Sequence, residues 1–177
     1  VVFLRRFPTL YRFNKTAADV IKKISESERI SAALLAVTWM NESSFETHPA
    51  PNDNGHPEDI NKWDVGPFQL NIYWTLKAVE KNEVSFAGLN EENVFGYNFY
   101  RSDGTTPAAF SGDAVSNGRM AARRLKAIGG TDLNKAMKYT KPSSQPARKA
   151  SYNNFAGSFQ GFFNCYRPLY WDGHLRL

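Results

Sequence analysis

Ile30-Ser31-Ala32-Ala33-Leu34-Leu35-Ala36-Val37-Thr38-Trp39-Met40-Asn41-Glu42-Ser43-Ser44-Phe45 is apolar at almost every position as far as Met40. A helix that is apolar on all sides belongs in a core rather than on a surface. Ser31, or the residues just before it, would open that helix. Its first ionisable group, Glu42, falls where the helix should be ending. Thr38 and Trp39, four and three positions earlier, share its helix face. A carboxyl there loses solvent and meets the negative end of the helix dipole, and both effects push its pKa upward. A carboxyl still protonated near neutral pH is what a general acid requires. The plainer alternative is that Glu42 marks the solvent edge of a core helix.

Working outward, Thr16 with Asp19 three residues on reads as a helix start. Ala17, Val20, Ile21 and Ile24 then form the apolar stripe of a surface helix ending near Ser27. Residues 1–14 are basic and aromatic without period, an irregular lead-in. On the other side, His48 to Lys62 is a long polar loop rich in Pro, Asn, Asp and Gly. Its spacing His48…Asp53…His56 matches no metal-ligand pattern, and a solvated turn is the better reading. Trp63-Asp64-Val65-Gly66-Pro67-Phe68-Gln69-Leu70-Asn71 follows and runs into Ile72, Leu76 and Val79 at helical spacing. The Gly-Pro pair forces a turn before that helix. A short helix is expected around Glu91–Tyr97. Another, capped by Ser116, carries Ala121, Leu125 and Ile128 and stops at Gly129-Gly130. Asp132–Tyr139 reads as a short helix, Lys141–Lys149 as a connection, and a last helix holds Tyr152 and Asn153. The fold class is mainly α, one domain over residues 1–177, with a small β element near Asp64.

A chain of 177 residues is long enough to enclose its own core. The aromatic share is high, with 4 Trp, 8 Tyr and 13 Phe, which suits sugar-binding clefts and protein cores alike. The net charge of +5 implies attraction to something anionic: nucleic acid, a membrane surface or an acidic wall polymer. No block of like charges and no recognised motif supports nucleic acid. The single cysteine, Cys165, excludes an internal disulfide and any multi-cysteine zinc site, and its aromatic setting suits a buried small hydrophobe. No apolar run is long enough to span a membrane. The chain opens Val-Val-Phe-Leu-Arg-Arg without a methionine, as a processed or excised piece would, so any export signal would be out of view.

Four motifs in order resemble those of lysozyme-like lytic transglycosylases. Glu42-Ser43-Ser44-Phe45 resembles the Glu-Ser-x-Phe signature, which in that family also closes an apolar helix. Gly66-Pro67-Phe68-Gln69-Leu70 matches Gly-x-x-Gln followed by an aliphatic residue. The longer Asp64–Asn71 string is closer to specialised transglycosylases of secretion systems and to animal c-type lysozymes. Asn117 with Ala121 resembles the helix-opening third signature, although the family usually has Gly at the second position. Ala150-Ser151-Tyr152-Asn153-Asn154-Phe155-Ala156-Gly157 is a loose counterpart of Ala-Tyr-Asn-Ala-Gly, with extra residues.

The resemblance implies a lysozyme-like fold and cleavage of peptidoglycan between N-acetylmuramic acid and N-acetylglucosamine. Glycosidic cleavage needs an acid at the leaving oxygen and stabilisation of an oxocarbenium-like transition state. Glu42 would be the acid. Asp64 would be the second carboxylate of a retaining hydrolase; alternatively the substrate's acetamido group attacks, and Asp64 only caps the turn before the next helix. Gln69 and Phe68 would line the cleft, with core packing as the alternative for Phe68. Tyr152 would place its hydroxyl near Glu42, and Asn153 would contact substrate or serve as a turn residue. Ser43 closes the helix and is not a triad nucleophile. The resemblance implies no metal and no cofactor, a monomer, and action in the cell envelope (periplasm) or after secretion. The rival readings are a chitin or chitosan hydrolase on the same scaffold and a non-catalytic wall-binding module.

Overall fold

The computed structural model describes residues 15–97, 108–140, 145–151 and 153. The lead-in 1–14, most of the 97–112 loop, Tyr152 and Cys165 lie outside them. The protein is mainly helical. Among the described residues its α-helices are α1 (Lys15–Glu28), α2 (Ala32–Ser43), α3 (Ile72–Glu80), α4 (Glu91–Phe95), α5 (Ala114–Ile128), α6 (Asp132–Lys138) and α7 (Gln145–Ser151). One antiparallel hairpin joins β1 (Asp64–Val65) to β2 (Leu70–Asn71), with Asp64 opposite Asn71 and Val65 opposite Leu70. No helix among the described residues is long and apolar enough to cross a membrane.

Helix α2 is the buried centre. Every residue from Ala33 to Trp39 is buried, as a helix without a polar face must be. The Ser31 side chain accepts from Leu34 N at 3.2 Å and so caps its first turn. The amide of Ser44, in the left-handed region at φ 52°, donates to Met40 O and ends it. The buried Thr38 hydroxyl donates back to Leu34 O at 2.8 Å, which removes the cost of enclosing it. α1, α6 and α7 pack against α2, and α1 also lies along α5.

Gly118 of α5 lets these layers close. A Cβ there would stand 2.2 Å from Ile24 Cδ1 and 2.7 Å from Phe68 Cε2. A side chain at that position would therefore push α1 or the hairpin turn away from α5.

Three element boundaries differ from the sequence expectation. Thr16 is already inside α1 and does not start it. α5 is capped by Asp113, whose carboxylate accepts from Ser116 N and Ser116 Oγ, both at 2.7 Å. Ser116 is thus the third helical residue, and Asn117 lies a full turn in rather than at the opening. The expected connection Lys141–Lys149 contains the start of α7 at Gln145. Pro146 is tolerated there because a first-turn N–H has no partner to lose.

Candidate active site

The end of α2 is bent back on itself. Ser44 and Phe45 both have positive φ, 52° and 65°, and Glu46 N reaches Ser43 O at 2.9 Å. The indole of buried Trp39 donates to Glu46 O at 2.9 Å, and Phe45 packs edge-on to that ring at 5.8 Å. Glu42 is thereby fixed as a half-buried side chain one residue before the helix ends. The Ser43 hydroxyl donates to Pro67 O at 2.7 Å. That bond ties the end of α2 directly to the hairpin turn.

The turn itself is built by Gly66-Pro67-Phe68-Gln69. Gln69 N donates to Gly66 O at 2.9 Å, and Pro67 sits where β-turns favour its fixed φ. Gly66 has φ 74°, and a Cβ on it would lie 2.3 Å from Asn117 Nδ2. Only glycine meets both conditions. Asn117, fully buried on α5, accepts from Phe68 N at 3.0 Å and donates to Val65 O at 3.2 Å and Val94 O at 2.9 Å. The Tyr139 hydroxyl, from the end of α6, donates to Phe68 O at 2.9 Å. Three helices therefore hold one four-residue turn.

A cleft of about 540 Å³ opens beside this turn. Glu42, Asp64 and Gln69 all line it. Asp64 is half-buried, its Oδ1 accepting from Asn71 Nδ2 at 2.9 Å and its backbone paired with Asn52. Asn71, not Asp64, caps the following helix, accepting from Trp74 N at 3.0 Å. The Asp64 side chain instead bonds that of its strand partner across the base of the turn, a structural role of the kind considered for it. Gln69, at φ 46°, donates from Nε2 to Gly66 O at 3.0 Å, which fixes its amide at the cleft wall.

Two expected substrate contacts need correction. Phe68 is fully buried, stacked 5.5 Å from Trp39 and wedged against Gly118, so it is a core ring and lines no part of the cleft. Asn153 is solvent-exposed beyond α7 and is not among the described residues that line the cleft. Tyr152 lies outside the described residues. Among the described residues, Tyr139 is the tyrosine that lines the cleft. In the polar loop, His48 Nδ1 lies 2.9 Å from Phe110 O, Asp53 accepts from Gly55 N and His56 lies 3.6 Å from Glu58. The three serve separate local contacts.

The sequence reading did not reach Trp74, Arg124, Lys138, Tyr139 and Thr140, all on the cleft wall. Trp74 carried a signal. It is two positions from Ile72, off the apolar stripe of α3, and the residue is 61% exposed. A large ring outside a helix's apolar face is a candidate contact surface.

The chain matches no family model, no curated protein and no solved structure.

Proposed function

We propose that the protein cleaves the glycan strands of peptidoglycan at the β-1,4 bond between N-acetylmuramic acid and N-acetylglucosamine, on a lysozyme-like fold, with Glu42 as general acid and then base. One observation carries this reading: two carboxylates, Glu42 and Asp64, and the amide of Gln69 line one cleft, although they come from separate parts of the chain. Glu42 leaves a helix with no polar face, and its backbone is clamped by the Ser43 to Pro67 bond. Glu42 delivers a proton to the bridging oxygen. Asp64, oriented by Asn71, holds negative charge against the oxocarbenium-like transition state. Gln69 offers amide donor and acceptor groups to sugar hydroxyls and acetamido groups, and the exposed indole of Trp74 offers a flat apolar face to a pyranose ring. This substrate places the site of action in the cell envelope or outside the cell.

The test is Glu42→Gln on purified cell walls. General acid catalysis contributes roughly 10²- to 10⁴-fold, so release of soluble muropeptides should fall by at least about 10²-fold while the far-UV circular dichroism stays unchanged. Full turnover by the variant, or wild-type protein that pulls down on murein without releasing products, would remove the assignment. Mass spectrometry of the products distinguishes hydrolysis, which leaves reducing ends, from internal attack, which leaves anhydro ends one water lighter.

A further inference from the structure

Two cleft residues, Arg124 and Lys138, have no part in the cleavage step just described. We propose that this pair selects glycan strands bearing carboxylates over neutral N-acetylglucosamine polymers, by holding an acidic substituent of the strand inside the cleft. The inference rests on the glycan-cleaving reading and narrows its substrate.

The other cations of these two helices are engaged with carboxylates. On α5, Arg119, Arg123 and Lys126 all converge on the buried carboxylate of Glu28. On α6, Lys135 stands 3.9 Å from Asp132. Arg124 and Lys138 differ: both line the cleft, and among the described residues neither makes an ion pair. The guanidinium of half-buried Arg124 donates to the Trp74 carbonyl, so the group is held against the wall beside the exposed indole. A guanidinium has five N–H donors in a planar fork, and one carbonyl occupies only one of them. Lys138, the exposed last residue of α6, adds a mobile ammonium with three donors. A planar fork plus a point charge is well matched to a carboxylate. Carboxylates and cations thus share one cleft, with Glu42 and Asp64 suited to the bond being cut and Arg124 and Lys138 to a group hanging from the strand. In murein that group is the free lactyl carboxylate of a denuded strand or a carboxylate of the stem peptide. A chitin chain has neither.

Binding measured on the Glu42→Gln protein, which leaves the ligand uncut, tests this. The probes are peptide-bearing murein strands, denuded strands and chitohexaose, titrated calorimetrically at low and high salt. An acidic strand should bind about tenfold more tightly than chitohexaose, as one charge-assisted contact would give. The preference should collapse when Arg124→Gln and Lys138→Gln are added, and should shrink in high salt. Lys138→Gln alone, an exposed change that cannot disturb folding, should lower it by about threefold. Preference for peptide-bearing strands alone would assign the stem carboxylates; equal preference for denuded strands would assign the lactyl group. Equal affinity for chitohexaose, a preference that survives the double substitution, or no binding to any probe would overturn the proposal. Selective binding together with a wild-type protein that cuts no strand would instead overturn the cleavage reading and leave the anion selectivity standing.

Discussion

At the residue scale the most consequential side chain outside the cleft is Asn117. Its amide meets Phe68 N, Val65 O and Val94 O, so one group on α5 fixes both ends of the turn that carries Gln69. Removing it takes the buried side-chain partner from Phe68 N and Val94 O and one bond from Val65 O, and each group left unsatisfied costs about 1–3 kcal/mol. Asn117→Ala should therefore destabilise the protein by about 3 kcal/mol and loosen the cleft wall. Urea unfolding monitored by fluorescence would show a lower midpoint at unchanged slope; a shift corresponding to less than about 0.5 kcal/mol would be a surface-like response and would refute the pinning role. The sequence flagged Asn117 only as a helix opener. Its partners lie 49, 52 and 23 residues away, and no local pattern states which backbone groups a buried amide will meet. The place of Glu42 in the chain was legible for the opposite reason, because the end of an apolar helix is a local pattern, whereas the cleft residues beside it come from other elements. Phe68 was misplaced because an aromatic residue in a turn reads equally well as cleft or core, and the close approach that Gly118 permits decides between them.

At the scale of elements, α1 and α5 are joined end to side by charge. Glu28, the last residue of α1, is buried at the helix end where a carboxylate is disfavoured by the dipole. Arg119, Arg123 and Lys126, at i, i+4 and i+7 on one face of α5, compensate it with contacts of 2.8, 2.9 and 3.5 Å. Lys126 Nζ also donates to Glu28 O at 2.8 Å, satisfying a carbonyl at the helix end. Burial alone would raise the Glu28 pKa, but the hydrogen bonds and charges of Arg123 and Arg119 outweigh it, and the carboxyl is held below its ordinary value of 4.5. A carboxylate with a depressed folded pKa adds stability above its unfolded value and loses it as pH falls through the folded one. Glu28→Gln should thus cost about 3 kcal/mol at pH 7, near the lower end for a broken buried pair because the three cations keep some solvent. The difference from wild type should narrow below pH 4.5 in denaturation curves taken across the acid range. A gap constant down to pH 2 would exclude the ion-pair account. Helix positions were readable from apolar spacing in α1 and α3 and from an unbroken apolar run in α2, and the Gly66-Pro67 turn from its own chemistry. The start of α7 was not, since Pro146 looks like a breaker unless the first turn is known to fall there. The pairing of α1 with α5 was hidden too, because three cations at helical spacing read as a solvated face until a buried acid is set opposite them.

At the scale of the whole molecule, the cleft exists only as a product of the complete fold. Among the described residues its walls are Glu42 at the end of α2, the β1–β2 hairpin, Trp74 and Thr75 of α3, Arg124 and Ile128 of α5, and Lys138 to Thr140 at the end of α6. One buried apolar cluster runs behind them, from Ala17 to Ala136, with Trp39 on the α2 side and Trp63 on the hairpin side, both buried. A core shared in this way leaves no wall able to unfold while the others persist. The expected outcome is a single cooperative transition, in which indole fluorescence, reporting tertiary burial, and far-UV circular dichroism, reporting helix, give the same midpoint. A glycan that binds the assembled cleft should move both midpoints together, by about 2.7 kcal/mol of added stability when its concentration is one hundred times its Kd. Two separated midpoints, or a ligand that shifts the fluorescence transition and leaves the helical one in place, would mean that the hairpin wall and the helical wall fold as independent units. Glu42 of α2 and Asp64 of the hairpin would then be held together by the substrate rather than by the core, and would form a working pair only in the bound state.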